Sequence, residues 1–305
     1  MVKSLFKKLK KYYQERFGSV FPIFVWLIVF VWVVSYVLFM FWGITTSLKS
    51  STDFYINPVG LPSKTYGGIR ISNYAQVWKT LYTIKTDGSF AYIEELLANS
   101  MFYCCAIAII NNLIVMLNTY VAARFKYLKF VPLMWVVYLI GCYNPLTPNT
   151  ASVIKLMRWL GWYDNPIGLI LWNIGGYGGP FMIFYGAWKS FSPTYSEAAR
   201  IDGAGEWTIF FKIMLPLIWP VLFIYIINTI RTLWDDYMVP ILYMPSYPTV
   251  ALAAYEFQFS GADGLQDVTG KLAGYFMFSI PMILMYMATK NKLVKASSLV
   301  GGIKG

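Results

Sequence analysis

Along the 305 residues the apolar positions gather into six long runs separated by polar stretches. A helix rising 1.5 Å per residue needs roughly 20 residues to cross about 30 Å of hydrocarbon. The first run, Phe21 to Ile44, carries no charged side chain over its whole length. Further runs cover about 97–123, 130–148, 167–188, 215–233 and 272–289, and each predicts a membrane-crossing helix. The predicted fold class is therefore all-α, a polytopic membrane protein of about six transmembrane helices. The first run is longer than the apolar core of a cleavable signal and ends in Trp42-Gly43-Ile44, so it is expected to remain as a span.

The polar stretches set the organisation. Residues 1–20 form a basic leader in which Leu5, Phe6, Leu9, Tyr12, Tyr13 and Phe17 recur at helical spacing. Two readings stand for it, an amphipathic helix on the membrane surface and a solvated basic anchor. Thr45 to Glu95 contains Pro58, Pro62 and Gly67-Gly68 and reads as turns with short helices, not a separate domain. Tyr237 to Lys271, broken by Pro240, Pro245 and Pro248, is expected to enter the membrane surface and turn back. Residues 190–216 form a loop between the fourth and fifth runs, and 290–305 a C-terminal tail.

Composition agrees with the pattern: 58% hydrophobic and 13% charged residues leave too little polar surface for a soluble globule. The net charge is +11. With both termini in the cytoplasm, Arg124, Lys126, Lys129, Lys189, Arg200, Lys212, Lys290, Lys292, Lys295 and Lys304 all fall on the inner side, as short basic loops do. Of the fourteen acids, only Glu15, Glu197, Asp202 and Glu206 join them there. The expected partner of these cations is anionic membrane lipid and not nucleic acid. Histidine is absent, and Cys104, Cys105 and Cys142 lie within runs, so no metal site and no catalytic residue is expected. Gly264 to Lys271 has the wrong spacing for a phosphate loop and lacks the hydroxyl residue after its lysine.

Two polar features remain. Arg231, Trp234, Asp235 and Asp236 close the fifth run, either as interfacial residues or as parts of a gate or solute pathway, with Arg231 and Asp235 one helical turn apart. The second is Ser192-Pro193-Thr194-Tyr195-Ser196-Glu197-Ala198-Ala199-Arg200-Ile201-Asp202-Gly203-Ala204. Ser192 suits a helix cap, Pro193 the first helical position and Gly203 the residue past the end, so a helix of about ten residues is predicted. Small Ala198 and Ala199 beside Glu197 and Asp202 would suit a docking element; an ordinary polar loop is the other reading.

Glu197-Ala198-Ala199, then Gly203, then Ile213 and Leu215-Pro216 match in spacing and identity the cytoplasmic signature of bacterial ATP-binding-cassette (ABC) importer permeases. Asp202-Gly203-Ala204, Asn73-Tyr74, Ala122-Ala123-Arg124-Phe125, the Trp234 to Pro240 segment and the Gly301-Gly302-Ile303-Lys304-Gly305 ending resemble the carbohydrate, maltose-type branch and within it the smaller subunit of the pair. Residues 293–300 depart from that pattern. The resemblance implies a type I importer permease fold in the bacterial cytoplasmic membrane. It implies that the loop helix docks on an ATPase through Glu197 with Gly203 permitting the turn, and that Gly302, Lys304 and Gly305 reach the ATPases. The implied partners are a second homologous permease, two ATPases that hold ATP and Mg, and an external solute-binding protein. This chain would bind no cofactor and hydrolyse nothing. The remaining alternatives are an ABC permease for a non-sugar solute, such as a peptide or modified sugar, and a secondary transporter, which the near absence of acids within the runs disfavours. Twelve tryptophans, 24 tyrosines and 22 phenylalanines offer stacking surfaces for sugars, but membrane proteins are rich in such rings at their interfaces.

Overall fold

Uninterrupted apolar sequence forms helix because no other open structure satisfies its backbone in hydrocarbon, and helices dominate the computed structural model of the chain. Residues 11, 20–143, 150–174, 179–260 and 267–302 are described. The chain divides into two compact units, Met1–Val77 with Gly264–Phe276, and Trp78–Asp263 with Met277–Gly305.

In the first unit, α1 (Val20–Ser47) leads to α2 (Ser51–Ile56), a 3-10 turn at Lys64–Tyr66 and α3 (Ser72–Thr80). From Ile23 to Phe41 most side chains of α1 are exposed, and only its last turns are buried. Those turns are held by polar bonds. Asn73 Nδ2 donates to the carbonyls of Ser47 (2.8 Å) and Lys49 (2.9 Å), Ser47 Oγ pairs with the Tyr74 hydroxyl at 2.7 Å, and Trp42 Nε1 donates to Pro58 O at 2.8 Å. The Asn73-Tyr74 pair is therefore a clamp on the end of α1.

The second unit opens with a hairpin, β1 (Tyr82–Ile84) and β2 (Phe90–Tyr92), registered Tyr82 opposite Tyr92. The sequence reading expected only turns and short helices here. Asp87-Gly88 between alternating residues is the signal that would have revealed it. Gly88 takes a positive φ of 81°, and Asp87 accepts from the Ser89 amide and hydroxyl, which holds its carboxyl below the ordinary range. Lys85 pairs with Glu95 at 2.7 Å, and that bond raises its pKa.

There follow α4 (Ile93–Arg124), α5 (Val131–Tyr143), α6 (Thr150–Trp159), α7 (Pro166–Asn173), α8 (Gly179–Ser190), α9 (Thr194–Ile201), α10 (Glu206–Ile209), a wide π turn at Phe210–Met214, α11 (Leu215–Trp234), α12 (Met238–Tyr243), α13 (Val250–Ser260) and α14 (Val268–Gly302), whose residues are shared between the two units. Among the described residues, four stretches are long and apolar enough to cross a membrane singly: Pro22–Ser47, Ile93–Arg124, Glu206–Trp234 and Val268–Asn291. The runs expected at 130–148 and 167–188 differ. The former gives the 13-residue α5, with 144–149 outside the described residues. The latter is two helices, because α7 ends at Asn173 and Ile174 is extended with ψ 130°. Gly175, Gly176, Gly178, Gly179 and Pro180 follow, the poorest helix formers together. The tail, expected from residue 290, begins as a continuation of the same helix, which runs to Gly302. The leader at 1–10 and 12–19 lies outside the described residues.

The core of this unit is where α4, α8 and α11 meet. Trp188 is its centre: fully buried, it donates Nε1 to Met116 O and Thr119 Oγ1, both at 3.2 Å, and its ring meets Tyr120 edge-on at 4.9 Å. Between α4 and α11, Asn112 Nδ2 donates to Thr229 Oγ1 at 2.9 Å. Lipid is as apolar as leucine, so such packing and bonds, worth on average about 0.6 kcal/mol per hydrogen bond, hold helices together in a membrane.

Candidate functional site

The polar loop between α8 and α11 is built from local capping rules. Ser192 Oγ accepts from the Thr194 amide at 3.3 Å, and Pro193 already has helical angles. Its missing N–H is harmless in a first turn. The described helix, eight residues of α9, is shorter than the ten expected. At its end the Ala204 amide reaches back to Ala199 O at 2.9 Å and the Gly203 amide to Arg200 O at 3.0 Å, a paired closure that requires a left-handed residue between them. Gly203 supplies it with φ +80°. A Cβ there would meet nothing within 4 Å, so glycine is required by the backbone angle and not by crowding within this chain.

The helix has two faces. Ser196 and Ala199 point inward and are buried, the alanine against the core that holds Ile209, Phe210 and Trp188. Tyr195, Glu197, Ala198, Ile201 and Asp202 are exposed. Ile201 is 87% exposed and Trp207, just beyond the turn, 78%, with Phe211 stacked on it at 6.0 Å. Apolar groups so open beside a carboxylate mark a surface that meets something else. Glu197 lies in the first turn of α9, where the helix dipole favours its charge, and among the described residues its side chain has no partner. Arg200 is spoken for: Nε and Nη2 both contact Glu206 Oε1, at 2.9 and 2.8 Å, and bridge the turn at Gly203.

Beyond the turn the motif enters the core. Ile209, Phe210, Met214 and Ile218 are buried, while Ile213 and Leu215 pack partly against the same cluster. Pro216 is exposed. It cannot donate to a carbonyl four residues back and its ring crowds that carbonyl. The wide turn before it is the accommodation, with the Leu215 amide bonded to Phe210 O, five residues earlier.

Arg124, at the end of α4, anchors the loop's other end through Nη2 to the carbonyls of Trp188 (3.3 Å) and Phe191 (3.1 Å). Trp188, Thr119 and this use of Arg124 were missed by sequence reasoning; an arginine closing an apolar run was the available signal. Displacement of α9 would press through Ala199, Ile209 and Phe210 on the Tyr120 and Trp188 rings, and so on α4, α8 and α11 at once.

The other candidates are not gathered at this loop. Trp234 is buried and ends α11, and Asp235 follows as its cap. Asp236 accepts from the Met238 and Val239 amides at 3.0 and 3.1 Å, which starts α12. Arg231 and Asp235, one helical turn apart, form no ion pair among the described residues. Arg231 is exposed, as are Asn228 and Thr232 on the same edge of α11 and the capping Asp235 just past its end. Gly302 is the last residue of α14, while Lys304 and Gly305 lie outside the described residues. Among the described residues no three His, Cys, Asp or Glu side chains come together as a metal site requires.

Comparison with known proteins places this arrangement. Over 275 residues the chain is 27% identical to the diacetylchitobiose uptake system permease protein NgcG of Streptomyces coelicolor, covering 88% of this chain and 84% of that protein. It is 24% identical to a probable starch degradation products transport system permease protein, AmyC, of Thermoanaerobacterium thermosulfurigenes, covering 86% and 89%. Among solved structures, a chain of a bacterial ABC transporter involved in the import of the acidic polysaccharide alginate shares the fold, with a TM-score of 0.71 at 18% identity over 90% of this chain and 97% of that one. Residues 100–291, which include the whole Glu197 loop, match the binding-protein-dependent transport system inner membrane component family, and the chain belongs to it.

Proposed function

We propose that this chain is the membrane-spanning permease subunit of an ABC importer for a carbohydrate, of oligosaccharide size, working by alternating access. The observation that carries the reading is α9 itself: a helix with an open Ile201 and a Glu197 that has no partner among the described residues, mounted by Ala199 on the core that joins three membrane helices. Such an element receives a push from outside the chain and distributes it. The push comes from ATP and Mg held by two cytoplasmic ATPase subunits, and a basic group of the ATPase pairs with Glu197. A second homologous permease completes the pathway, a solute-binding protein delivers the sugar, and the tail around Lys304 reaches the ATPases. The chain itself transports and does not catalyse. Arg231, Asn228, Thr232 and Asp235, a polar edge on a membrane helix, line its side of the pathway, since such groups are costly against lipid.

The test is reconstitution with the partner subunits, in vesicles, and uptake of a panel of labelled di- to pentasaccharides. Glu197→Lys is expected to abolish uptake and weaken ATPase association while the subunit remains folded. Normal uptake by that variant would sink the coupling role, and uptake of peptides but no saccharide would sink the substrate class.

A further inference from the structure

On the membrane face that carries the Glu197 loop, two lysines are brought together by the fold. The bonds from Arg124 to the Trp188 and Phe191 carbonyls lay the end of α4 alongside the end of α8. Lys126 follows the first and Lys189 belongs to the second, and both are exposed. Among the described residues neither forms an ion pair. The Lys189 ammonium lies close enough to hold the Lys126 pKa below its ordinary value, and Lys189 also rests 5.6 Å from the centre of the Tyr185 ring. Two exposed cations on adjoining helix ends, with no ion pair to an acid among the described residues, favour an anion shared from elsewhere. The neighbouring turn gives that anion its setting. Tyr127 is 77% exposed and Phe130 is exposed too, interleaved with Lys126 and the exposed Lys129. Rings of this kind sit at headgroup depth in a bilayer, and basic pockets between membrane helices bind phospholipid headgroups.

We propose that Lys126 and Lys189 clamp the phosphate of an anionic phospholipid, whose acyl chains run past Tyr127 and Phe130 into the bilayer. The lipid would join the ends of α4 and α8 from outside as Arg124 joins them from within, beside the start of the loop at Phe191. The rings favour lipid over a protein partner, because they continue the apolar membrane surface of α5 at Leu133, Val136 and Val137.

The experiment uses the full chain, extracted and placed in nanodiscs containing equal phosphatidylglycerol and phosphatidylcholine, with bound lipid counted by native mass spectrometry. Wild type should retain phosphatidylglycerol selectively. In the Lys126→Gln, Lys189→Gln double variant that preference should fall roughly thirty-fold, as expected for two lysine contacts at a membrane surface. The double Lys→Arg variant should keep it, and Lys212→Gln with Lys290→Gln, which removes equal charge elsewhere, should leave it unchanged. Should the double variant not accumulate, each single Lys→Gln variant is read in the same way. An unchanged preference in the variants, an equal loss in the charge-matched control, or displacement of the lipid by millimolar inorganic phosphate would each overturn the proposal. So would retained lipid preference accompanied by lost association with an ATPase, which would make the pair a protein contact. None of these readings depends on which solute is carried.

Discussion

Gly203 shows how one residue separates a fold requirement from a partner requirement. Its φ of +80° costs an L-residue about 1 kcal/mol, yet its surroundings within the chain are empty. Gly203→Ala should therefore lower stability by about 1 kcal/mol, read as a small fall in melting temperature of the detergent-solubilised subunit. Gly203→Leu should cost little more in stability but abolish transport, since the extra atoms would meet only what docks there. Equal transport by the two variants would remove the docking argument. Trp188 is the opposite case, buried and bonded twice. Trp188→Ala should cost roughly 3–5 kcal/mol, measured by thermal aggregation, and should prevent accumulation in the membrane before any question of coupling arises.

At the scale of elements, the wide turn at Phe210–Met214 exists because Pro216 follows it. With Pro216→Ala a regular helix becomes available, so residues 210–216 should gain protection in hydrogen exchange while transport declines through loss of the joint between loop and span. Unchanged exchange would show that packing of Phe210 and Met214, not the proline, sets the turn. On α11 the edge formed by Asn228, Arg231, Thr232 and Asp235 has a parallel test. Single cysteines there, in a background with Cys104, Cys105 and Cys142 replaced, should react with hydrophilic thiol reagents in the assembled transporter, while one at Trp219 should not. How much of these elements was legible beforehand depended on range. The turn at Gly203 is local and was read correctly, and the cap was read one residue early, at Ser192 with Pro193 as the first helical position where the structure caps at Pro193 and starts the helix at Thr194. The end of α7 at Asn173 and the hairpin at 82–92 were present in local glycine signals that the apolar pattern overshadowed.

For the whole molecule, several long apolar helices and a family match over residues 100–291 make a multi-pass inner-membrane component of it. The division of work follows from where polarity is placed. The exposed Glu197 face looks away from the core, and the core beneath it ties α4, α8 and α11 into one body. What the amino-acid order determined by itself was membrane class, because the free energy of burying apolar runs in lipid is additive along the chain, and the loop's identity, because its seven fixed residues sit within twenty positions of one another. Tertiary structure alone decided the rest. Arg124 is 64 residues from Trp188, and Lys126 is 63 from Lys189. Asn112 is 117 from Thr229. No local pattern specifies such pairs. They arise only when packed helices bring each buried donor to acceptors far along the chain, and bring cations from distant segments onto adjoining helix ends.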